Sequence, residues 1–552
     1  MKKKLVAMLL VVAMAATAVA GCGNDSGDSG SGSGGSSDSG SGSGGGAPEV
    51  EVDADGKVNG IMYAEGLPIV DEGAYTFSIF VDDSTSTGEF VALQAFEEQT
   101  NVKVDLRYYP YESATERLNL DLNSGDYADV IGGWTLSDNL ILTYGVDQGI
   151  FIPLEDLFEQ YAPNISAVLD LPGVREKMTA PDGHIYTIPY VVNDVNTGYT
   201  PYINTRWLEN VGMSMPTTTD EFEAVLQAFK DQDANGNGDP NDEIPFSTDP
   251  NNKHLEYMTG YFGVPMDQNG LSVKEDGTVA WAAECDAYRQ MLSWLNRMYE
   301  KGLVDTEIST QDSATWEGKG NRDLYGVSIA YGSGEFSGLP NGKEQGEFDF
   351  LPVLNADNGG VWMRDTYGNN VYRTQAVITD NAEHPEIIVR WYDNVFELEN
   401  GIMINIGPVG VKVRKEGNDY IQVAEDTLSE ADQEKYGWGN LWPQALPKFL
   451  PLDFELKQDD PLFNEKKAME EFYEPYLTEH IIESAWVDMD SVEIYSEYAT
   501  AIRDYFRQNQ AQFIAGELDV DDDATWQAYC DGYKGLGLDK YLEIRGITER
   551  ID

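Results

Sequence analysis

Residues 75–81 read YTFSIFV, a run of β-branched and aromatic side chains that predicts a buried β-strand. Asp82, Asp83 and Ser84 interrupt the apolar run and are expected to end this strand. Apolar residues then recur at helical spacing across residues 88–98, which predicts a helix. The fold is therefore expected to begin with a strand followed directly by a helix.

The next segments repeat the same alternation. Residues 102–106 alternate polar and apolar side chains, and residues 128–131 form a short apolar run, so both are predicted to be strands. Between them, Ser113 is placed to cap a helix that continues to Leu122. A strand–helix–strand–helix–strand order predicts a right-handed parallel unit, and hence an α/β fold.

The remainder of the chain continues as a mixture of helices and strands. Strands are expected at residues 324–331 and 374–378. Helices are expected at residues 207–211, 219–229, 283–299, 384–398 and 491–515. The absence of an eightfold strand–helix rhythm in the sequence argues against a barrel.

The first 22 residues have the order of an export signal. Three lysines at positions 2–4 precede an uncharged apolar stretch to Ala20, and small residues then lead to Cys22. The apolar stretch spans about 24 Å as a helix, which is short of the roughly 30 Å hydrocarbon core of a membrane. This end resembles the lipobox of bacterial lipoproteins, which implies that residues 1–21 are a lipoprotein signal peptide and that Cys22 is lipidated. A plain secretory signal is the alternative.

Residues 22–47 consist almost entirely of Gly, Ser, Asp and Asn after the cysteine. Such a segment cannot bury apolar surface and is expected to be a flexible tether with an end-to-end distance of roughly 27 Å. It would hold a globular domain away from a membrane surface.

Charge excludes some classes of partner. The chain carries 96 acidic and 36 basic residues, a net charge of −60. Loss of residues 1–21 removes three lysines and no acidic residue, which brings the charge to −63. Such a surface repels nucleic acid and anionic lipid headgroups. We therefore expect no nucleic acid partner.

Cysteine and histidine usage offers little for metal or triad chemistry. Besides Cys22, the chain has Cys285 and Cys530, which could form a disulfide in an exported protein or stay as buried free thiols. The four histidines are scattered along the chain, and no cysteine spacing is typical of a zinc site.

Five segments carry motifs whose order and spacing are informative. They are LNSGDYADVI at residues 122–131, DGHIYTIPY at 182–190, YINTRWL at 202–208, HPE at 384–386 and GLGLDKYLEI at 535–544. Together they resemble the extracellular solute-binding proteins (family 1 type) of bacterial carbohydrate ABC importers. The resemblance covers roughly residues 75–545.

The resemblance implies a two-lobed periplasmic-binding-protein-like fold of the type II kind, with a hinge and a ligand cleft between the lobes. It places a solute-binding domain at residues 48–552. One lobe would comprise about 72–193 and 355–408, the other about 198–352 and 411–545, with crossings near 191–199, 352–362 and 407–411. Such proteins are not enzymes, and they deliver a solute to the transmembrane subunits of an ABC permease. We expect a monomer on the outer face of the membrane of a Gram-positive cell.

The loop at residues 233–243 reads DANGNGDPNDE, with oxygen-bearing side chains on alternate positions and glycines between them. Calcium takes six to eight oxygen ligands, which a tight glycine turn can gather around one ion. The expected ligands are Asp233, Asn235, Asn237, the backbone carbonyl of Asp239, and Asp242 or Glu243. The loop resembles an EF-hand loop but lacks its twelfth-position glutamate. We expect a structural Ca²⁺, and an Asn/Gly turn without metal is the alternative.

Residues that follow strand ends or lie at the crossings are the candidates for ligand contact. Aromatic rings stack on the apolar faces of sugars, and polar side chains bind their hydroxyls. The candidates are Trp134, Tyr190, Asn193, Asp194, Tyr331, Trp362, Arg364 and Trp438. A place in the core or on the surface is the alternative for each of them, and Trp207, Trp294 and Trp391 are expected to be core residues.

An oligosaccharide is thus the expected ligand. With 96 acidic residues, no pair of catalytic carboxylates can be excluded from sequence, so a surface-anchored glycoside hydrolase is one alternative. A surface scaffold, or a binding protein for a peptide or other solute, is another.

Overall fold

The computed structural model describes residues 51–82, 90–193, 198–249, 254–339, 346–356, 359–364, 369–424, 427–451, 454, 456–458, 465–483 and 485–552. The predicted signal peptide, Cys22 and the tether lie outside the described residues. Residues 49–552 form one compact unit. Among the described residues, no helix has both the length and the apolar character needed to cross a bilayer.

The first sheet contains the strand that opens the fold, Tyr75–Asp82. This strand pairs in parallel with Val102–Tyr109 on one side and with Val130–Gly132 on the other. Ala376–Ile378 adds an antiparallel edge strand. The helix Val91–Thr100 connects the first two strands, as predicted. The parallel α/β unit is therefore confirmed.

The second connecting helix begins earlier than predicted. It spans Tyr111–Ser124, with Pro110 at its N-cap. The Ser113 hydroxyl donates to the Pro110 carbonyl at 3.1 Å and caps no backbone N–H, so the assignment of Ser113 as N-cap is wrong.

A second sheet lies further along the chain. Tyr325–Ala330 pairs in parallel with Ile244–Thr248 and antiparallel with Thr200–Asn204, and Phe348–Phe350 completes the edge. Each sheet has its own apolar core: Phe77 and Trp391 belong to the first, Trp207 and Trp294 to the second. The structure therefore has two lobes, here called the first lobe and the second lobe after their sheets.

The remaining strands form small sheets. They are Lys57–Val58 with Met62–Tyr63; Leu271–Val273, Val279–Trp281 and Glu549–Arg550; and Val413–Glu416, Asp419–Gln422 and Leu456–Gln458.

Helices cover both sheets. In the first half of the chain they are Asp138–Leu140, Ile141–Asp147 (π), Glu155–Tyr161, Pro163–Leu169, Val174–Met178, Thr205–Val211, Thr219–Asp231, Leu255–Phe262 (3₁₀), Asp286–Glu300, Ser313–Gly320 and Gly334–Ser337. Later come Pro385–Val395, Leu398–Asn405, Glu430–Lys435, Trp438–Leu441, Glu465–Tyr473, Glu474–Tyr476 (3₁₀), Met489–Ser491 (3₁₀), Val492–Ile514, Asp523–Gly535 and Leu538–Ile544.

A two-stranded ribbon, here called the hinge ribbon, carries two of the passages between the lobes. Tyr190–Asn193 leads from the first lobe towards the second sheet, and Asn369–Tyr372 leads back to Ala376–Ile378. The two strands pair antiparallel, with Tyr190 opposite Tyr372. In hinge closure, a few residues at such crossings absorb the change in backbone angles.

The expected third crossing near residues 407–411 is wrong. Leu441, Trp442 and Leu446 pack in the core of the first lobe. The ring of Trp442 stacks on Trp391, with 6.1 Å between ring centres and 23° between planes. The chain contributes to the second core again at Met469. Residues 441–446 therefore belong to the first lobe, where the sequence had placed them in the second.

The two described cysteines are free. Cys285 is buried at the start of Asp286–Glu300, where its sulfur accepts the Tyr288 N–H at 3.4 Å. Cys530 is half-buried, and the disulfide alternative is not formed.

Candidate functional site

Asp82 organises the loop that follows the third strand of the first sheet. Its side chain is fully buried. The Trp134 N–H donates to Oδ1 at 2.7 Å, the Thr135 N–H donates to Oδ2 at 2.6 Å, and the Thr135 hydroxyl also donates to Oδ2. Burial raises the pKa of Asp82, and these hydrogen bonds oppose that shift by favouring the charged form. Asp82 thus holds the loop and is not itself available to a ligand.

Gly133 is required for this arrangement. Its φ of +125° lies in a region that side-chain-bearing residues avoid, and a Cβ there would lie 1.8 Å from Oδ1 of Asp82. The backbone of Gly133 therefore approaches the carboxylate more closely than any other residue could. The next residue, Trp134, lies two positions beyond the end of the strand, and its side chain is 43% exposed.

Trp134 belongs to a row of aromatic rings, here called the aromatic strip. Its ring meets Tyr372 edge-on, with 5.9 Å between centres and 81° between planes. Tyr372 in turn lies 5.1 Å from Tyr190, its partner in the hinge ribbon. The Lys448 ammonium lies 5.8 Å from the centre of the Tyr190 ring and donates to Gln444 Oε1 at 2.6 Å. Aromatic surface and polar groups thus meet at the hinge.

The second lobe presents rings at the corresponding edge of its own sheet. Tyr331 follows the strand Tyr325–Ala330, and its ring lies 5.8 Å from that of Tyr199, which precedes Thr200–Asn204. Tyr199 stacks on His254 at 4.0 Å. Burial lowers the pKa of His254 to about 3, so its imidazole is neutral at physiological pH.

A cavity of about 610 Å³ lies between the lobes, next to the aromatic strip. Thr135 and Asp138 line it from the first lobe, one and four residues beyond Trp134. Tyr495, Arg503 and Tyr541 line it from the other side. Its size falls in the range of small-molecule sites, which is about 300–1,000 Å³. Hydroxyl, amide and aromatic side chains in its wall suit a polar, hydroxyl-rich solute.

Two of the predicted ligand residues lie elsewhere. Trp362 is fully buried in the second core, with its ring 5.7 Å from Tyr257 and 5.8 Å from Tyr261. Arg364 donates to the Thr478 carbonyl at 2.9 Å and to Glu474 at 3.0 Å, so it joins two chain segments. The structure thus places the Trp362 ring in the core, away from any ligand, and the Arg364 side chain in internal hydrogen bonds, so that ligand contact by Arg364 stays a prediction.

The other predicted residues are placed as follows. Trp134, Tyr190 and Tyr331 lie at the edges just described, although Tyr190 is only 5% exposed. Asn193 pairs with Asn369 in the hinge ribbon. Asp194 lies outside the described residues, as does the side chain of Trp438, which begins the helix Trp438–Leu441.

Sequence reasoning missed Tyr372 and Arg373. Both lie at the end of the hinge ribbon, one or two residues before the strand predicted at 374–378. Their position depends on pairing with residues 190–193, which are distant in sequence. An isolated aromatic–arginine pair ahead of a short apolar run was the only local signal.

The predicted calcium loop connects Thr219–Asp231 to Ile244–Thr248. The Gly238 N–H donates to Asp233 Oδ2 at 3.0 Å, which folds the loop back on its first residue. The amides of Asn235 and Asn237 donate to the two carboxylate oxygens of Asp242, at 3.1 and 2.8 Å. The candidate ligands are therefore gathered within one tight turn.

Two carboxylate oxygens of this loop are buried without a hydrogen-bond partner: Asp233 Oδ1 and Glu243 Oε2. The other oxygen of Glu243 accepts the Ala234 N–H at 2.9 Å. Unpartnered buried carboxylate oxygens are costly unless a cation balances them, and calcium prefers oxygen ligands. The residues present therefore fit a calcium ion. Among the described residues, this loop included, no group of three or more His, Cys, Asp or Glu side chains is arranged to hold a metal, so an ion here would also need the amide and backbone oxygens of the loop.

Two α/β lobes, a hinge ribbon and an aromatic-edged cavity between the lobes define a two-lobed binding protein. Residues 92–330 match the family model of bacterial extracellular solute-binding proteins. The fructooligosaccharide ABC transporter substrate-binding protein FusA of Streptococcus pneumoniae is 28% identical over 490 residues, covering 83% of this chain and 86% of that protein.

Solved structures of FusA are similar as well. An EF-hand mutant in complex with fructo-nystose has a TM-score of 0.74, and a complex with kestose has one of 0.73. Each is 26% identical and covers 85% of this chain and 97% of the other. The chain is thus similar to bacterial extracellular solute-binding proteins, a class of binding proteins rather than enzymes.

Proposed function

We propose that this protein captures an oligosaccharide between its two lobes and delivers it to the transmembrane subunits of an ABC importer. The observation that carries the proposal is the exposed ring of Trp134, held at the carboxyl edge of the first sheet by buried Asp82 and facing Tyr372. A large aromatic ring exposed beside a polar cavity is the arrangement that stacks on a sugar face. The fructooligosaccharide-binding relative supports a carbohydrate as the ligand.

In this proposal the two lobes contribute different contacts. Trp134 supplies the stacking surface, and Tyr190 supports it through Tyr372. Tyr331 supplies a second ring from the other lobe, with Asn193, Asp194 and Trp438 as further candidates near the crossings. Rotation about the hinge ribbon would bring the two sets together around the ligand.

Calcium is proposed to stabilise the loop at residues 233–243. Asp233 Oδ1 and Glu243 Oε2 would be ligands, together with Asn235, Asn237, Asp242 and the carbonyl of Asp239. The ion would balance buried carboxylates and fix the connection between Thr219–Asp231 and the second sheet. Its role would be structural, because the loop lines no part of the cavity described above.

We further propose that the protein is a monomer anchored through a lipid on Cys22 to the outer face of the membrane of a Gram-positive cell. The lipobox-like end at residues 19–22 and the Gly/Ser-rich stretch that follows support this. A tether of residues 22–47 would let the two lobes load at a distance and still reach the permease beside the anchor.

Calorimetric titration of the purified protein tests the ligand assignment. The panel should contain kestose and an oligogalacturonide of similar length, because the kestose-binding FusA is one relative and a polygalacturonan/rhamnogalacturonan-binding protein of Bacillus subtilis, 21% identical over 220 residues, is another. We expect saturable binding of a neutral oligosaccharide that is recovered unaltered. Trp134→Ala should weaken it at least 10-fold, because a stacking ring is lost.

Phe472→Ala is the matched control, since Phe472 is a similarly exposed aromatic residue that packs on Phe350 at the edge of the second sheet. It should leave the affinity unchanged. Binding that is indifferent to Trp134→Ala would place the ligand elsewhere, and failure of every sugar to bind would overturn the carbohydrate assignment.

A further inference from the structure

The side chains of Asp138, Arg373 and Trp486 form a connection between the two lobes that the solute-binding function does not itself account for. Arg373 follows the hinge ribbon and is 7% exposed. Its guanidinium donates to both carboxylate oxygens of Asp138, with Nε–Oδ1 at 2.8 Å and Nη2–Oδ2 at 2.5 Å. A bidentate pair of this kind fixes both the distance and the plane of the two groups.

Trp486 completes the connection from another part of the chain. The Arg373 guanidinium carbon lies 4.1 Å from the centre of the Trp486 ring, within the range of a cation–π contact. The indole N–H of Trp486 donates to the Lys177 carbonyl at 3.1 Å. The Trp486 ring packs against the apolar cluster of the first lobe that contains Phe80 and Ile131.

The segment that carries Trp486 is attached to the second lobe on both sides. Before it, the Thr478 N–H donates to the carbonyl of Trp362, a second-core residue, at 3.0 Å, and Ile482 packs against the same core. After it, the helix Val492–Ile514 contributes Phe506 to that core. Trp486 is therefore a second-lobe side chain that contacts the first lobe.

These contacts lie next to both the hinge and the ligand site. Arg373 is the immediate neighbour of Tyr372, whose ring contacts Trp134. Asp138 lines the interlobe cavity, and so do Ile482 and Val487, which flank Trp486. If the lobes rotate about the hinge ribbon, either the contact between Arg373 and Trp486 breaks or the segment that carries Trp486 moves together with the first lobe.

We propose that Asp138, Arg373 and Trp486 form an interlobe clasp that holds the lobes in the arrangement seen here, with the cavity between them, before ligand binds and so raises the apparent affinity. A ligand that binds only this arrangement gains affinity in proportion to the fraction of protein that already adopts it. Asp138 and Arg373 act in this clasp as positioning residues, since two bonds to the carboxylate hold the guanidinium whose carbon lies 4.1 Å from the centre of the indole ring.

Small-angle X-ray scattering of the full chain without ligand tests the clasp independently of the ligand assignment. Trp486→Ala and Arg373→Gln should each increase the radius of gyration. The radius of gyration of the double variant should be similar to that of either single variant, because the two residues share one contact. Trp486→Phe, which keeps a ring but loses the N–H donor, should fall between wild type and Trp486→Ala.

Arg175→Gln is the control, because it removes an exposed ion pair with Asp170 within the first lobe. It should leave the radius of gyration at the wild-type value. Circular dichroism establishes whether each variant is folded. If Trp486→Ala is unfolded, Trp486→Phe takes its place in the comparison. A wild-type radius in folded Trp486→Phe and Arg373→Gln overturns the clasp.

Titration with kestose adds the functional readout and rests on the proposed function. Where wild type binds kestose, Trp486→Ala should weaken the affinity about 10-fold, which is the loss expected for one partly desolvated cation–π contact. Unchanged affinity in that case overturns the coupling. If wild type does not bind kestose, kestose is not the ligand. The scattering measurements still test whether the clasp exists.

Discussion

At the scale of single residues, burial separates the side chains that hold the site from those that can meet a ligand. Asp82 is fully buried, and both of its carboxylate oxygens accept hydrogen bonds from the loop beside it, whereas Trp134 in that loop is exposed. Sequence places both residues just after strand ends and cannot distinguish them. The difference arises from Gly133, whose backbone approaches the carboxylate too closely for any side chain.

Glu256 is a second buried carboxylate, and it has no role in the site. One of its oxygens accepts from Gln510 Nε2 at 3.2 Å, and the other has no partner in the described structure. Burial raises its pKa from 4.5 to about 7. The folded state therefore retains a proton that the unfolded chain releases between these two pH values.

This shift predicts a pH dependence of stability. The stabilisation from the protonated Glu256 is fully present below about pH 4.5 and is lost as pH rises through 7. Glu256→Gln should therefore match wild type at pH 4.5 and exceed it at pH 8, by on the order of 3 kcal/mol in the free energy of unfolding. Denaturant unfolding of both proteins at the two pH values measures this difference.

The difference between variant and wild type isolates Glu256 from other shifted groups. Burial raises the pKa of Asp393 to about 6 and lowers that of His254 to about 3, and both contributions are common to the two proteins. Glu209→Gln, at an exposed helical position, is the control and should show no gain at pH 8. A difference that does not grow with pH would contradict the assignment.

At the scale of secondary structure elements, the calcium loop is a local feature that the sequence encodes almost completely. Glycines 236 and 238 have φ values of +76° and +93°, which permit the tight turn that gathers the candidate ligands. Asx turns account for one oxygen each of Asn235 and Asn237, which accept the N–H groups of Asn237 and Asp239 at 3.0 and 2.7 Å. What the turn leaves unbalanced is the negative charge of Asp233, Asp242 and Glu243.

If calcium balances that charge, its removal should destabilise the second lobe. EDTA is expected to lower the melting temperature, and excess Ca²⁺ should restore it. Asp233→Ala should abolish this response, because it removes an oxygen that is buried without a partner. Differential scanning calorimetry of each protein with and without EDTA measures the effect.

Asp276→Ala provides the matched control. Asp276 also accepts a backbone N–H two residues ahead, that of Thr278 at 3.0 Å, in an Asp-Gly turn of the same lobe. This variant should keep the full EDTA response. Equal melting temperatures with and without EDTA in wild type would leave the loop as an Asn/Gly turn.

Elements whose pattern is local were predicted well, and elements that depend on distant partners were not. The strand Tyr75–Asp82 and the helices Thr219–Asp231 and Val492–Ile514 follow from apolar spacing and capping residues. A crossing was predicted near residues 191–199, but the pairing of Tyr190–Asn193 with Asn369–Tyr372 was not, because the two strands are far apart in the chain. Trp442 was assigned to the wrong lobe because its stacking on Trp391 is visible only in three dimensions.

The same reason explains which site residues were missed. Sequence alone does not distinguish a tryptophan that faces solvent, such as Trp134, from one that lies in a core, such as Trp362. Arg373 carries no motif at all, and its importance comes from the three groups that meet it: Asp138, Trp486 and the hinge ribbon. Sequence supplied the class of protein and one edge of the site, and tertiary contacts supplied the rest.

At the scale of the whole molecule, capture of solute and attachment to the cell are separate tasks. The aromatic strip, the interlobe cavity and the hinge ribbon all belong to the compact unit at residues 49–552. The proposed anchor at Cys22 precedes a Gly/Ser-rich tether that carries no aromatic or charged groups suited to a sugar, apart from a few aspartates. Anchoring should therefore affect where the protein resides and leave its affinity unaltered.

Cys22→Ser tests this separation. The serine hydroxyl replaces the thiol that would carry the lipid, so the variant should appear in the culture medium while wild type stays with the membrane fraction. Its affinity for the sugar bound by wild type should be equal to that of wild type within error. Cell fractionation with immunoblotting and calorimetric titration measure the two properties on the same preparations.

Cys530→Ser is the matched control, because Cys530 is a free, half-buried cysteine of the second lobe. It should remain in the membrane fraction, which separates loss of the anchor from the general effect of removing a thiol. Retention of Cys22→Ser on the membrane would mean that the apolar residues 5–20 hold the protein there without a lipid. A change in its affinity would mean that the tether takes part in binding, because the folded unit itself is the same in both proteins.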